Sequence, residues 1–323
     1  MTTKLLIDTD PAMGTKNSDP EDSFAITLAL SSPELEVVGL TCVAGNVPVA
    51  NGYANALHLL RLLGREDVPV ASGPDLPLYP ERRPSQVAWL ADGAARDVIV
   101  DPSDVPTPKP DAVELIAQCA RDAAGELVIA PIGPLTNIAL ALRAYPELAG
   151  QIAELRVMGG AFTVGGNHTP FAEFNFWADP EAADEVIRSG IPITYVGLDV
   201  CNRTKLTNEL LNPGTITSEL GRFVIDSCEQ WFGAVQTSSD RGIHLFDTLT
   251  VASLVDPSLL TTVPGWVSIE TGTGPAQGSS GAWMEHLNSW WSRPTEGEPG
   301  QIALDLDLPR FNALFAERVL SLL

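Results

Sequence analysis

Positive charge is what this 323-residue chain has least of: 19 lysines and arginines stand against 41 aspartates and glutamates, for a formal net charge of −22. That deficit excludes a broad cationic face. It disfavours nucleic acid and anionic membrane surfaces as partners, since Lys and Arg contacts supply that binding. A neutral small molecule or a cation suits such a surface better. Long apolar runs are missing too, and none approaches the roughly 20 residues that span a bilayer. The opening MTTKLLIDTD passes almost directly into an expected strand and leaves no room for a signal peptide, so a cytoplasmic location is expected. Cys42, Cys119, Cys201 and Cys228 form no CxxC pair and read as buried thiols. No Ser/Gly linker, charged run or break in composition divides the chain. One domain over residues 1–323 is expected, and 45% apolar content is ample for its core.

What is present is an alternation of short β-rich runs with helical patterns. Strands are expected at 4–8, 35–45, 126–133, 155–160, 193–200, in WVSIETG and in IALDLDL. Helices are expected at 21–32, at 49–64 with Gly64 as terminator, after IGP, in DPEAADEVIRSG, at 246–256 and at the C-terminus. Nearly continuous apolar strands alternating with helices predict an α/β fold with an open, mostly parallel, Rossmann-like central sheet flanked by helices. In such folds the site lies beyond the carboxyl ends of the strands. The polar clusters DTDP, GN at 45–46, IGPLTN and GGAF all follow expected strands and should therefore converge.

The densest cluster is IDTDPAMGTKNSDPEDSFAI, residues 7–26, with five acids and a single lysine. Asp8 and Asp10 leave an apolar strand on the same side, while Asp22 starts a helix. Facing one another, such carboxylates make a hard-oxygen cage for Ca²⁺ or Mg²⁺. Asp19 and Asp22 read equally well as charges at a helix N-terminus, a reading that leaves Asp8 and Asp10 unaccounted for. DxD after a strand also suits a haloacid-dehalogenase-type phosphatase, but that chemistry needs a downstream lysine, and none follows Lys205.

Taken together, DTDP with the acidic pair at 21–22, TCVAGN at 41–46, IGPLTNIALAL at 132–142, VMGGAF…GN…TPFAEFNFWADPEAA at 157–183, GLDV at 197–200 and FDTLTV at 246–251 resemble the inosine–uridine preferring nucleoside hydrolases over essentially the full length. The resemblance implies Ca²⁺-dependent cleavage of the N-glycosidic bond of ribonucleosides. It implies metal ligation by Asp10, Asp22, Asp247 and the main-chain carbonyl of Ile132. It places Glu21, Asn46, Asn167, Glu173, Asn175 and Asp247 on the ribose, whose uncharged hydroxyls suit Asn and Glu partners. Breaking a ribosyl C–N bond builds positive charge on the sugar, which carboxylates stabilise, with Asp10 as the general base toward water. Relatives are usually dimers or tetramers, so a homodimer or homotetramer is expected. Asp8 is expected to support the ligands from behind. Asn137 and Asp179 read as helix-start residues outside the site.

Three departures stand out. Seven extra residues, MGTKNSD, stretch the opening motif, and its acidic pair is Glu21-Asp22 instead of Asp-Asp, so Asp19 is the alternative to Glu21 on the sugar. The insertion is expected over the mouth of the site. Phe246 stands where many relatives carry a histidine that protonates the departing base, with His244 two residues upstream. An aromatic there matches the purine-preferring branch, and Phe246 and Trp89 are expected to sandwich the base. Finally, three of seven tryptophans crowd into residues 283–291, suited to a subunit interface or the leaving-group pocket, with His286 a second candidate acid. The alternatives are a hydrolase of another N-ribosyl compound and a degenerate relative that binds ribose or Ca²⁺ without turnover. Intact Asp10, Asp22, Asp247, Asn175 and Glu173 count against the last.

Overall fold

The alternation folds into one nine-stranded sheet in the computed structural model, which describes residues 2–108, 111–211, 216–234, 242–288 and 299–323. The strands are β1 (Thr3–Thr9), β2 (Leu35–Cys42), β3 (Val70–Ser72), β4 (Leu127–Pro131), β5 (Ile152–Met158), β6 (Ile193–Val196), β7 (Leu260–Ile269), β8 (Ser280–Trp283) and β9 (Gly300–Leu306). Their order is β3-β2-β1-β4-β5-β6-β9-β7-β8. Every pairing from β3 to β9 is parallel, whereas β7 runs antiparallel to both β9 and β8. The helices are α1 (Asp22–Ser31), α2 (Val49–Leu62), α3 (Pro84–Ala94), α4 (Ala112–Ala123), α5 (Thr136–Ala144), α6 (Phe174–Ala178), α7 (Pro180–Ile187), α8 (Leu198–Cys201), α9 (Asn208–Leu211), α10 (Glu219–Ala234), α11 (Phe246–Val255), α12 (Glu285–Asn288) and α13 (Leu308–Arg318).

Strand burial follows from this topology. Residues 5–9 of β1, all of β4 and all of β6 are buried, as expected of parallel strands covered on both faces. β7 carries exposed positions along its length, in keeping with its place near an antiparallel edge. The sheet order reverses at β1: β2 and β3 lie on one side, β4 to β6 on the other. Ligands bind at such a reversal, because the loops leaving the two central strands diverge and open a crevice.

Some expected boundaries move. The strand at 35–45 ends at Cys42, freeing residues 43–48 to turn across the strand ends. The helix at 49–64 ends at Leu62, and Gly64 takes the left-handed φ of +65° that closes it. β3, β8, α3 and α10 were not anticipated: the two strands are short and α3 carries no clean apolar stripe, whereas α10 does carry one, Leu220, Phe223, Val224 and Cys228 on its buried face, which the sequence reading overlooked. All four cysteines are buried and free. No helix of the described residues is long and apolar enough to cross a membrane.

Candidate active site

The ends of β1, β4 and β5, the loop after β2, and the N-termini of α1 and α11 surround a pocket of about 510 Å³. Two buried helices carry its acids. Residues 22–29 of α1 and 247–253 of α11 are buried all round, so both helices run through the core instead of over it. Their positive N-terminal ends meet at the pocket, where backbone N–H groups favour carboxylates.

The acids are organised as a bonded set. Asp22 Oδ1 accepts from Thr9 Oγ1 at 2.6 Å and from the Asp10 amide at 3.1 Å, while its Oδ2 faces Asn46 Nδ2 at 3.3 Å. Asp10 Oδ2 accepts from the Asn46 amide at 2.5 Å, but Asp10 Oδ1 is buried with no protein partner. Two glycines hug this carboxylate: a Cβ on Gly45 would fall 2.1 Å from Asp10 Oδ2, and one on Gly133 would fall 2.7 Å from Oδ1. Behind it, Asp8 Oδ1 accepts from Thr41 Oγ1 at 2.6 Å and Asn137 Nδ2 at 2.7 Å. The Asp8 carbonyl takes the Ile132 amide at 2.7 Å, locking the end of β1 to the chain leaving β4. Asn137 therefore starts a helix and also anchors Asp8.

Glu21 does something the sequence did not suggest. Its carboxylate caps α11, accepting from the amides of Asp247 at 2.7 Å and Thr248 at 2.8 Å and from the Thr248 hydroxyl. The longer side chain reaches across to a neighbouring helix while Glu21 also lines the pocket. Burial raises the pKa of Asp10, and the Asp22 charge adds to it. Burial likewise raises Asp247 well above the carboxylate range, helped by Glu21, Asp22 and Asp10.

An oxygen-only donor set with a partnerless buried carboxylate oxygen and no lysine or arginine in it fits a hard dication. Asp22, Asp247 and Ile132 line the pocket, and Asp10, fully buried, is hydrogen-bonded to the lining residues Asp22 and Asn46. Among the described residues no three Asp, Glu, His or Cys side chains are already gathered closely enough to hold a metal.

Across the pocket, Glu173 caps α6, accepting from Asn175 at 2.8 Å, Gly160 at 3.1 Å and Phe176 at 3.2 Å, and burial lifts its pKa to about 7. Asn175 Nδ2 donates to the Ile132 carbonyl at 3.0 Å and that of Met158 at 3.1 Å. Asn167 Oδ1 holds the Phe174 amide at 2.9 Å at the exposed rim. Asn46 lacks the left-handed φ that a turn role would give it, since only Asn17 and Ala124 among described non-glycines have positive φ. Asp179 caps α7 through Ala182, ahead of Pro180, as expected of a structural residue.

The aromatic wall differs from the simple sandwich. Phe246 is stacked on His244 with ring centroids 5.4 Å apart and planes 3° from parallel. Trp89 donates Nε1–H to the Gly45 carbonyl at 3.1 Å and carries the Arg96 guanidinium over its ring. His168, Phe174 and Trp177 pack beside it. The insertion does reach the mouth, where Asn17, Ser18 and Asp19 line the pocket. Trp290 and Trp291 lie outside the described residues, as does the side chain of His286.

Residues 5–313 match the family model for inosine-uridine preferring nucleoside hydrolases. The chain belongs to that family. Among related nucleoside hydrolases, the pyrimidine-specific ribonucleoside hydrolase RihA of Escherichia coli O9:H4 (strain HS) is 37% identical over 329 residues, covering 99% of each chain. A plant nucleoside hydrolase, PpNRh1, superposes with a TM-score of 0.83 at 32% identity, over 98% of this chain and 99% of its own. A purine-preferring ribonucleoside hydrolase from Gardnerella vaginalis superposes with a TM-score of 0.81 at 31% identity, over 99% of this chain and 98% of its own. This chain is thus a nucleosidase. Its pocket also enlists Ser18, Arg96, His168 and Phe174, which sequence reasoning missed. His168 and Phe174 adjoin motif residues and were open to notice, but nothing local to Arg96 marks it.

Proposed function

We propose that this nucleoside hydrolase cleaves the N-glycosidic bond of ribonucleosides with the help of Ca²⁺ held by Asp10, Asp22, Asp247 and the Ile132 carbonyl. The observation that carries the reading is the buried Asp10 carboxylate, whose Oδ1 has no protein partner amid like charges. When bound, the ion supplies Lewis acidity and fixes the 2′- and 3′-hydroxyls. The remaining work falls to side chains. Glu21, Asn46, Asn167, Glu173, Asn175 and Asp247 orient the ribose. As the C1′–N bond lengthens, the carboxylates stabilise positive charge on the ring, and Asp10 takes the proton of the attacking water. Glu21 positions Asp247 by holding the start of α11.

The base is assigned to the aromatic wall of Trp89 and Phe246, where stacking area favours purines. The 37% identity to pyrimidine-specific relatives supports a second reading, pyrimidine preference. The ratio of kcat/KM for inosine and uridine decides between them. A homodimer or homotetramer is assigned on the tryptophan-rich C-terminal region, and light scattering tests it. For the reaction itself, ribose release is measured across a nucleoside panel with Ca²⁺ or EGTA. Release that stops in EGTA and returns with Ca²⁺ is expected. Asp10→Asn should cut kcat by on the order of 10³-fold with its Tm retained. No release from any ribonucleoside, or release indifferent to EGTA, would defeat the proposal.

A further inference from the structure

Arg96 is the sole lysine or arginine lining the pocket among the described residues. It follows α3, far in sequence from every acid of the site. Its guanidinium sits 5.3 Å from the centroid of Trp89, donates from Nη1 to Ser18 Oγ at 2.9 Å and from Nη2 to Asp92 Oδ2 at 3.3 Å. Those bonds use two of five N–H donors. The ion pair of Arg96 is with Asp92, which does not line the pocket.

The inserted segment holds it there. The Lys16 amide donates to the Asp97 carbonyl at 2.9 Å and the Ile99 amide to the Gly14 carbonyl at 2.7 Å, with an isolated bridge between Thr15 and Val98. Gly14 has a φ of +112°, and a Cβ there would meet Asn55 Oδ1 at 2.4 Å, so the strap is built around a glycine. The strap thus holds a partly buried guanidinium at the aromatic end of an otherwise anionic pocket.

We propose that Arg96 is the leaving-group residue, hydrogen-bonding an exocyclic carbonyl of the departing base and thereby selecting oxo-bases such as uracil or hypoxanthine over adenine. The inference deepens the hydrolase reading and rests on it. When the C1′–N bond breaks, its electron pair goes to the base and spreads onto the carbonyl oxygen, where the guanidinium N–H groups bind it. Water adds to C1′ and yields its proton to Asp10, and that proton returns to the base through solvent. Nucleoside and water become ribose and neutral base. A planar fork of donors suits this task better than an ammonium.

The test compares wild type, Arg96→Gln, Arg96→Lys and Ser18→Ala on inosine, uridine, adenosine and 4-nitrophenyl riboside, whose leaving group needs no assistance. Arg96→Gln should lower kcat/KM on inosine and uridine by on the order of 100- to 1,000-fold, the range for losing an electrostatic donor. Its loss on adenosine and the nitrophenyl riboside should stay within about threefold. Arg96→Lys should fall between, and Ser18→Ala should show the same pattern more weakly. An equal loss on all four substrates would mean that Arg96 only straps the insertion, and would overturn this inference alone. A wild type inert on every riboside would overturn the hydrolase reading and this inference with it.

Discussion

Asp10 illustrates how a single carboxylate is prepared. Gly45 and Gly133 leave it no lateral room, Asn46 fixes one oxygen, and the other is partnerless in the interior. Buried polar atoms seldom stay unpaired without a functional reason. Phe246 is a test at the same scale. Base stacking on an aromatic ring contributes about 1–3 kcal/mol, so Phe246→Ala should lower kcat/KM on good nucleoside substrates by about 10- to 100-fold. Ca²⁺ affinity, measured by calorimetry, should not move, since the ring touches no proposed ligand atom. Unchanged turnover would remove the ring from the base site. Most of these residues were legible from motifs. The cap that Glu21 places on α11 was not, because a glutamate for aspartate reads locally as one extra methylene, whereas what it reaches is set by where α11 begins.

Among elements, α1 and α11 matter most. They lack an apolar stripe because both are surrounded, so their placement in the core could not be inferred from periodicity. Glu21 joins them by accepting three hydrogen bonds from Asp247 and Thr248. Glu21→Ala strands those buried donors and should cost about 2–3 kcal/mol of unfolding free energy by denaturant titration. It should also lower activity by loosening Asp247. Thr248→Ala removes one bond and should cost about 1 kcal/mol. If Glu21→Ala were as stable as wild type, the cap would be incidental. Strand alternation was readable because parallel strands buried on both faces are apolar throughout. The reversal to antiparallel at β7 and β8 was not, since pairing partners are chosen across the sheet.

For the whole molecule, the consequence of so many buried acids is an unusual pH dependence. Burial raises Asp179 from 3.8 to about 6, and raises Asp8 and Glu173 to about 7. Folded pKa values above the unfolded ones mean that the native state binds protons more tightly between roughly pH 4 and 7. Metal-free protein should therefore lose stability as pH rises through that window. Asp179 alone contributes on the order of 2–3 kcal/mol. Denaturant titrations in EGTA at pH 5 and pH 8 should show the fall, and Asp179→Asn should flatten its slope. A stability that rose over the same interval would contradict the burial assigned to these groups.

By itself the sequence determined the α/β class, the parallel core and the family, because hydrophobic periodicity and motif chemistry are local in the chain. It also marked most of the acids and amides that ring the pocket. Only the tertiary structure decided what each one faces. Glu21 turns to a helix 226 residues away, Asp10 is fixed by an amide 36 residues on, and Arg96 reaches an inserted loop 78 residues upstream. Those partnerships arise because the sheet order sets loops distant in sequence side by side, and no spacing along the chain encodes a distance across a sheet.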